Sequence, residues 1–455
     1  MIDLSGQRVL VVGLGVSGFA AARALLDLGA KVKVTEGTAS GTMTERADRL
    51  RTMGADVEIG GHDLEALDCD LAVVSPGIPP DSPVFTALIA EDTPIWGEVE
   101  LAARLARCDF LAITGTNGKT TTTTLLAAML EAGGVPSLAA GNIGLPVVEA
   151  IVHVPEGGAI ALETSSFQLA TTVTFRPKVA VVLNLGEDHS DWHGDFEAYV
   201  AAKARITENQ QESDIFIPCL DDERVMDMAR ASEATIVPFS GISCPPDGTG
   251  FSDGYLNWRG RRLLHRAEIL LPSRAGAEDA AAAATAALEY GVSVDAVCDA
   301  MRAFGQLRHR FEHVRTLDGV EYIDDSKATN PHATLAALAD LTDVVLIAGG
   351  RSKGIDLTPL VAARARLRAV VALGEAKGEL QELFEGAVPI EVVDTMDEAV
   401  LRARNRSSSG GSVLLSPACA SLDMYESYAA RGDHFARAVN ALLPSKTDEG
   451  RNDGY

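Results

Sequence analysis

Short apolar runs recur along the chain and alternate with longer segments of helical periodicity. In the first part of the chain the apolar runs lie at 8–12, 31–35 and 70–74, and the first leads through Gly-Leu-Gly-Val-Ser-Gly at 13–18 into a helix-like segment. Continuous apolar strands separated by helices are typical of parallel sheets covered on both faces. The alternation returns in the middle and in the last third of the chain. The pattern therefore predicts an α/β protein built from three sheet domains.

Changes in composition indicate where these domains meet. The segment Thr-Pro-Ile-Trp-Gly at 93–97 follows the first set of strands, and Gln-Leu-Arg-His-Arg-Phe-Glu at 306–312 precedes the last set. A chain of 455 residues has room for about three domains. We predict an N-terminal domain at 1–97, a central domain at 98–306, a C-terminal domain at 307–445 and a disordered tail at 446–455.

Charge and composition narrow the partners that the protein can take. The formal net charge is −25, which argues against nucleic acid and anionic membranes because both require a basic surface. No apolar run is long enough to cross a bilayer, and the first residues do not resemble a signal peptide. We expect a soluble, cytoplasmic, monomeric protein. The six cysteines contain no Cys-x-x-Cys pair, so neither a disulfide framework nor a zinc site is indicated.

The segment Phe-Leu-Ala-Ile-Thr-Gly-Thr-Asn-Gly-Lys-Thr at 110–120 has the features of a phosphate-binding loop. A strand meets a glycine turn whose backbone N–H groups can face an anion, and a helix N-terminus adds partial positive charge. Lys119 adds a full charge, and the Thr120 hydroxyl is placed to bind Mg²⁺. Ile113 stands where a Walker A motif has its first glycine, so the loop is tighter and an ordinary GTPase is disfavoured.

Polar residues follow the predicted strands downstream of this loop. Glu163 ends one strand, and His189 lies in Asn-Leu-Gly-Glu-Asp-His-Ser-Asp after the next. Each alone fits a solvated acid or a structural histidine as well as a ligand, whereas together they favour a metal site at the carboxyl edge of a parallel sheet. Lys203 lies in an alanine-rich helix, and the pattern alone favours a surface lysine there.

Seven sequence blocks occur in the order found in the Mur ligases, and the chain resembles that family over roughly residues 5–440. They are GTNGKTT, ETSSFQL, EDHSD, the Ala-Ala-Lys helix, RHRFE, DDSKATNP and SPACASLDMY. The second and last blocks most resemble the branch of the family that adds D-glutamate. The resemblance implies a Rossmann-like UDP-binding domain, a P-loop-type ATPase domain and a Rossmann-like amino-acid-binding domain. It also implies ATP-dependent amide formation between UDP-N-acetylmuramoyl-L-alanine and D-glutamate through an acyl phosphate, a step of peptidoglycan precursor synthesis.

The resemblance also assigns roles to individual residues. Catalysis falls to Lys119, His189 and Lys203. ATP contacts fall to Gly115, Thr116, Asn117, Gly118, Lys119, Thr120, Thr121, Asp279, Arg310, Asp325 and Lys327. Two Mg²⁺ sites are implied, with ligands among Thr120, Glu163, His189 and Lys203, the last N-carboxylated. The UDP substrate falls to Val16, Ser17, Ser75, Gly77, Asn142 and His189, and D-glutamate to Thr329, Lys353, Ser421, Leu422 and Tyr428.

Two departures from the family pattern concern substrate contacts. Glu36-Gly37-Thr38 replaces an Asp-Thr-Arg run of some relatives, so an arginine contact to UDP is missing or supplied elsewhere. Glu278-Asp279 and Ala282 replace a His-Asn pair and a second Asn, which changes the adenine contact, although Asp279 can accept a hydrogen bond from the adenine amino group.

Other functions remain open at this stage. A different Mur-type ligase or a folylpolyglutamate synthase would share the same blocks. An NAD-dependent oxidoreductase would use the glycines at 13–18 but leaves Lys119, Glu163 and His189 unexplained. A nucleotide sensor without catalysis is the third class.

Overall fold

The computed structural model of the chain describes residues 2–64, 67–352 and 354–444, which form two compact units. The first unit contains the chain up to Leu185 together with Trp192–Leu270 and Gly276–Phe304. The second unit contains Gly186–Asp191, Leu271–Ala275 and the chain from Gly305 onward. The tail predicted at 446–455 lies outside the described residues.

The N-terminal part of the first unit alternates strands with helices as the apolar pattern predicts. Its elements are β1 (Arg8–Val12), α1 (Val16–Asp27), β2 (Lys31–Glu36), α2 (Gly41–Thr52), β3 (Asp56–Ile59), β4 (Leu71–Val74), α3 (Pro83–Ala90) and β5 (Ile95–Gly97). The strands form one parallel sheet in the order β3-β2-β1-β4-β5. Serine side chains cap α2 and α3 at Ser40 and Ser82, and Pro83 occupies the first turn of α3, where it costs no hydrogen bond.

The central part of the first unit continues directly from β5. Its elements are α4 (Glu98–Leu105), β6 (Asp109–Thr114), α5 (Lys119–Ala132), β7 (Ser137–Gly141), α6 (Val147–His153), β8 (Ala159–Glu163), α7 (Ser166–Leu169), β9 (Val179–Val182), α8 (Ser190–His193), α9 (Phe196–Ala204), β10 (Ile215–Pro218), α10 (Glu223–Ala231) and β11 (Thr235–Ile236). The sheet is parallel, in the order β11-β10-β9-β6-β8-β7. Because β6 and β8 are neighbours, their carboxyl ends lie side by side.

A small antiparallel sheet and two helices complete the first unit. They are β12 (Thr249–Ser252), β13 (Tyr255–Trp258), β14 (Arg261–His265), α11 (Arg274–Tyr290) and α12 (Val294–Ala303). The alanine run of α11 is buried, and α12 packs against α5. Both helices therefore contact α5, the helix that follows the predicted phosphate loop.

The second unit is built around a six-stranded sheet in the order β15-β16-β20-β17-β18-β19. Its elements are β15 (Glu312–Leu317), β16 (Val320–Asp324), α13 (Pro331–Ala339), β17 (Val344–Gly349), a 3₁₀ segment (Thr358–Arg366), β18 (Leu367–Leu373), α14 (Lys377–Phe384), β19 (Ile390–Val392), α15 (Met396–Arg406), β20 (Ser412–Leu415) and α16 (Tyr428–Ala441). The strands of this sheet pair in parallel, as the alternation of strands and helices predicts, except at one edge, where β15 pairs antiparallel with β16. Asp318 and Gly319, with φ of +54° and +77°, form the tight turn between them.

The strands of the second unit carry apolar side chains on both faces. Val345 and Ile347 contribute to one core, which includes α15 and α16, and Leu346 and Ala348 contribute to the other, which includes α14. Burial on both faces is the reason for their continuous apolar sequence. The predicted α/β fold class is confirmed, whereas the exact domain limits stay predictions. Among the described residues, no helix is long and apolar enough to cross a membrane.

Candidate active site

The predicted phosphate loop joins β6 to α5 at the carboxyl edge of the central sheet. Gly115 has a φ of +152° and Gly118 a φ of +84°, conformations that residues with a side chain rarely adopt. At Gly118 an added Cβ would also lie 2.2 Å from Asp279 Oδ1. The backbone therefore requires both glycines, and α5 begins directly after the second one, at Lys119.

Two lysines donate to the carbonyl oxygen of Gly115. Lys119 Nζ lies 2.9 Å from this oxygen and 2.9 Å from the carbonyl oxygen of Thr116. Lys203 Nζ lies 2.8 Å from the same Gly115 oxygen and 3.2 Å from Thr114 Oγ1. The surface position that the local pattern favours for Lys203 is wrong, since only 1% of this residue is exposed. The amino groups of two lysines thus meet at one backbone atom of the loop.

Residues that follow β9 hold the phosphate loop in place. The backbone N–H of Thr116 donates to the carbonyl oxygen of Asn184 at 2.8 Å, and that of Asn117 donates to Asn184 Oδ1 at 2.9 Å. The buried hydroxyls of Thr116 and Tyr199 lie 3.0 Å apart. These contacts hold the loop to the segments that follow β9. Such fixed backbone geometry favours anion binding at a helix N-terminus.

Glu163 is the last residue of β8 and pairs with Ile113 of β6, two residues before the loop. It is only 2% exposed. Its Oε1 accepts a hydrogen bond from Asn142 Nδ2 at 2.8 Å, whereas no described residue donates to the buried Oε2. A buried carboxylate oxygen without a hydrogen-bond donor lowers the stability of the fold unless a bound ligand interacts with it. Oxygen ligands of this kind suit Mg²⁺, so the residues present fit the metal that the sequence implies.

The first turn of α5 places two further predicted contacts. Thr120 is half-buried, and Thr121 is 7% exposed. Both residues belong to the first turn of α5, directly after the loop. Their assignment to Mg²⁺ and ATP stays a prediction.

His189 belongs to the second compact unit, in the short segment Gly186–Asp191. It has a left-handed backbone, with a φ of +56°, and its N–H donates to Asp188 Oδ1 at 3.0 Å. Its Nε2 lies 3.7 Å from Asp188 Oδ2, which in turn accepts from Asn330 Nδ2 at 3.1 Å. The His189 imidazole therefore lies next to the Asp188 carboxylate. The assignment of His189 as a metal and substrate ligand stays a prediction.

The predicted UDP region lies at the carboxyl ends of β1 and β4. Ser75 Oγ donates to the carbonyl oxygen of Gly13 at 3.3 Å, and Val16 at the start of α1 is 60% exposed. Glu36, where a dinucleotide enzyme keeps its ribose acid, accepts from Leu14 N at 2.7 Å. Burial opposes ionisation of Glu36, but the hydrogen bonds from Leu14 and Thr38 outweigh it and lower the pKa. Ser17 lies in the first turn of α1, and Gly77 lies in the loop that follows β4.

Several predicted site residues of the second unit directly follow β16. Asp325 accepts hydrogen bonds from Phe311 N at 3.1 Å and from Ser416 Oγ at 3.0 Å. Burial raises its pKa to about 7 against the effect of these hydrogen bonds. Lys327 Nζ lies 4.0 Å from the centroid of the Tyr428 ring, a cation–π contact that joins a predicted ATP residue to a predicted D-glutamate residue.

The other predicted residues of this unit lie in three loops at strand ends. Thr329 is half-buried, Ser421 is 4% exposed and Leu422 is 58% exposed. Arg310 lies beside the Phe311 backbone that contacts Asp325, and it acts on that carboxyl through its charge. Lys353 lies outside the described residues.

Asp325→Asn is expected to change how stability depends on pH. The folded pKa of Asp325 is about 7, above the unfolded value of about 3.9. The folded state therefore keeps a proton that the unfolded state releases, and the resulting stability is fully present below pH ~4 and lost as the pH rises through ~7. Thermal unfolding across this window should show a smaller fall for the variant than for the parent chain.

Asp343→Asn is the control for that measurement. A hydrogen bond from Arg368 lowers the pKa of Asp343, so this carboxylate stabilises the fold above its unfolded pKa. Its contribution to stability therefore increases with pH, whereas that of Asp325 decreases. The Asp343 variant should keep the fall between pH ~4 and ~7. Equal slopes for Asp325→Asn and the parent chain would show that Asp325 does not hold this proton.

Sequence reasoning missed Arg431, a buried residue of α16. It is 2% exposed and donates to Ser326 Oγ at 2.9 Å, to the Ser326 carbonyl at 2.8 Å and to the Cys419 carbonyl at 3.1 Å. Burial lowers its pKa to about 10. It therefore ties together two loops that carry predicted D-glutamate and ATP residues. Its sequence context, Tyr-Ala-Ala-Arg-Gly, carries no signal beyond an ordinary helix.

His193 and Tyr199 were also missed. His193 Nε2 lies 2.9 Å from Ser166 Oγ, and its ring meets Tyr199 edge-on with centroids 5.4 Å apart. The Tyr199 ring faces Lys203 Nζ at 4.7 Å. The available signal was the local density of aromatic residues between the Asp-His-Ser-Asp block and Lys203.

A glycine loop at the start of a helix, followed by lysine and placed beside a buried carboxylate, is typical of α/β enzymes that bind nucleotide phosphates. Comparison with known proteins gives the family. The description "Mur ligase MurD-like, N-terminal domain" matches residues 7–97, "Mur ligase middle domain" matches 113–244, and "Mur ligase, glutamate ligase domain" matches 309–419. The chain belongs to the Mur ligase family, and the resemblance seen in the sequence is confirmed.

Full-length relatives carry the name UDP-N-acetylmuramoylalanine–D-glutamate ligase. One from Frankia casuarinae is 45% identical over 97% of this chain and 95% of its own length. One from Desulfosudis oleivorans is 41% identical over 97% and 98%. A MurF ligase of Thermotoga maritima, solved with ADP, has the same fold, with a TM-score of 0.60 at 16% identity over 97% of this chain and 99% of its own.

Proposed function

We propose that this chain is an ATP-dependent ligase that joins the α-amino group of D-glutamate to the carboxylate of UDP-N-acetylmuramoyl-L-alanine, in peptidoglycan precursor synthesis. The observation that carries the proposal is that the glycine loop with Lys119 follows β6, while the buried Glu163 ends the neighbouring parallel strand β8. The full-length relatives point to the same reaction. The net charge of −25 supports small anionic substrates met by local cations, and not nucleic acid.

The chemistry explains why these residue types lie together. A carboxylate is a poor electrophile, because its charge repels nucleophiles and its leaving group would be oxide. Its oxygen therefore attacks the γ-phosphorus of ATP, and ADP leaves. The amine of D-glutamate then attacks the acyl carbon, and phosphate leaves with the oxygen that came from the carboxylate. Both steps concentrate negative charge, so cations must be dense around the transferred group.

The loop residues bind and orient the nucleotide in this proposal. Lys119, which donates to two loop carbonyls, would contact the β- and γ-phosphates. Thr120 and Glu163 would hold one Mg²⁺, which neutralises phosphate charge when bound. Asn142 fixes the Glu163 carboxylate through its amide and so orients the remaining oxygen. His189 would serve a second Mg²⁺ and the muramoyl end of the substrate.

The second unit contributes the amino-acid side in this proposal. Arg310, Asp325 and Lys327 act on ATP. D-glutamate binds to Thr329, Lys353, Ser421, Leu422 and Tyr428, with Lys353 suited to a carboxylate. Arg431 holds two of these loops together and is a positioning residue. We also propose that the protein acts in the cytoplasm as a monomer.

An assay of amino-acid choice tests the function. Protein, MgATP and UDP-N-acetylmuramoyl-L-alanine are incubated with one amino acid at a time, and phosphate release is measured. We expect release with D-glutamate alone. Release with L-glutamate or a diamino acid would assign the chain to another Mur-type reaction, and release with a folate acceptor would assign it to folylpolyglutamate synthesis.

Carboxylation of Lys203 is a separate prediction within this function. Its amine is buried beside the loop, and burial favours the neutral form that reacts with CO₂. The product is an anion that could serve the second Mg²⁺. With ¹³C-bicarbonate we expect one labelled carbamate resonance in the parent chain and none in Lys203→Ala. The exposed Lys31 provides a matched control, because Lys31→Ala should keep the resonance. Full activity of the CO₂-depleted protein would contradict a role for the carbamate.

A further inference from the structure

Asp279 lies in α11, far from the phosphate loop in sequence, yet its side chain contacts that loop. Thr122 Oγ1, in the first turns of α5, donates to Asp279 Oδ1 at 3.2 Å. Asp279 is 7% exposed, and Thr122 is fully buried. Burial makes this contact sensitive to substitution, because a hydroxyl left without its acceptor would have no water to replace it.

The same carboxyl oxygen occupies the space behind Gly118. A Cβ added to that glycine would lie 2.2 Å from Asp279 Oδ1 and 3.0 Å from Leu183 Cδ1. Gly118 is the left-handed residue that turns the loop into α5. One oxygen of Asp279 therefore touches both the turn at the end of the loop and the helix that follows it.

We propose that Asp279 is a positioning residue that braces the phosphate loop, and that it acts on the triphosphate of ATP through Gly118 and Thr122 and not by reading the adenine base. The proposal deepens the ATP-dependent function argued above and rests on it. It also gives a physical role to the position where this chain has Glu278-Asp279 in place of the family's His-Asn pair.

The contacts explain how a residue that need not touch ATP can control ATP binding. The phosphate loop binds through backbone N–H groups whose directions are set by a few φ and ψ angles. Removal of the Asp279 carboxyl leaves a cavity behind Gly118 and an unmatched hydroxyl at Thr122, so the start of α5 can shift. A displacement of about 1 Å at such a site is enough to cost ~100-fold in rate.

The test compares nucleotide affinities of variants at both ends of the contact. Binding of MgATP and of Mg-inosine triphosphate, which lacks the adenine amino group, is measured by calorimetry on the full-length protein. We expect Asp279→Ala and Thr122→Val each to weaken both nucleotides by the same factor, ~5–10-fold for the loss of one buried hydrogen bond. Asp279→Asn should stay within ~2-fold of the parent chain, because its amide oxygen still accepts from Thr122.

Thr123→Val is the matched control. Thr123 is as buried as its neighbour Thr122, but no described residue pairs with its hydroxyl, so its loss should leave affinity unchanged. The double variant Asp279→Ala with Thr122→Val should bind like either single variant, because both remove one contact. The KM for the UDP substrate should not change, and unfolding temperatures show whether each variant is folded.

Three results would contradict the proposal that Asp279 positions the phosphate loop. Weaker binding of ATP alone, with inosine triphosphate unaffected in Asp279→Ala, would assign Asp279 to the base. Unchanged binding of both nucleotides, or fully additive losses in the double variant, would show that the contact does not control the loop. If the parent chain binds ATP but forms no amide with an amino acid, the proposed function is rejected. The nucleotide affinities of the variants then still test the role of Asp279. If the parent chain binds no nucleotide, both are rejected.

Discussion

Lys119→Ala is expected to lower kcat at least ~100-fold, the scale of one preorganised electrostatic group, while the fold stays intact. Lys119 Nζ is held at the loop by the carbonyl oxygens of Gly115 and Thr116, which places its charge beside the proposed phosphate site. The Lys119 side chain is half-buried, so its truncation should barely change the unfolding temperature. The measurement is kcat with D-glutamate, beside a thermal unfolding curve.

The control for this variant is Lys31→Ala, which removes an exposed lysine of β2 and the same formal charge. Lys31→Ala should leave kcat unchanged. Comparison of the two variants therefore separates the effect of a lower overall charge from the effect of losing a charge at the loop. Lys119→Arg keeps the charge but not the geometry and should recover only part of the rate. A Lys119→Ala protein with parental kcat would remove the loop from the mechanism.

Glu163→Gln is expected to lower kcat ~10²–10³-fold and to raise the Mg²⁺ concentration needed for half-maximal rate. The substitution keeps an oxygen for Asn142 but replaces the partnerless buried Oε2 with an amide nitrogen, which cannot bind Mg²⁺. Stability should not fall, because no described residue donates to the lost oxygen. Activity is therefore titrated with Mg²⁺ and related to the unfolding temperature, and EDTA should abolish turnover in both proteins.

Glu100→Gln gives the opposite pattern and serves as the control. Glu100 is also buried, but its two oxygens accept from Val173, Thr174, Phe175 and Arg104. Its replacement should lower the unfolding temperature and leave the Mg²⁺ requirement unchanged. If Glu163→Gln instead lowered stability and left the Mg²⁺ titration unchanged, Glu163 would be a structural acid like Glu100.

Features that depend on local sequence were predictable. The glycine spacing fixed the loop before Lys119, because Gly115 and Gly118 adopt backbone angles that other residues resist. Glu163 was predictable as a strand-end acid, since β6 and β8 are parallel neighbours whose carboxyl ends share one edge. The resemblance to the Mur ligases added the order of the blocks and, with it, the reaction.

Features that depend on distant packing were not predictable from local pattern. Lys203 looks exposed in an alanine-rich helix, and only the docking of α9 against the loop buries it. Arg431 looks like an ordinary helical arginine, although its partners come from loops many residues away. The antiparallel edge strand β15 was not predicted, although Asp318 and Gly319 form a tight turn between it and β16.

The fate of one oxygen atom tests the central claim most directly. UDP-N-acetylmuramoyl-L-alanine labelled with ¹⁸O in its carboxylate is incubated with the protein, MgATP and D-glutamate, and the products are measured by mass spectrometry. An acyl phosphate predicts one ¹⁸O in the released phosphate and one retained in a product that carries D-glutamate. Unlabelled phosphate, or the absence of a product that carries D-glutamate, would contradict the account.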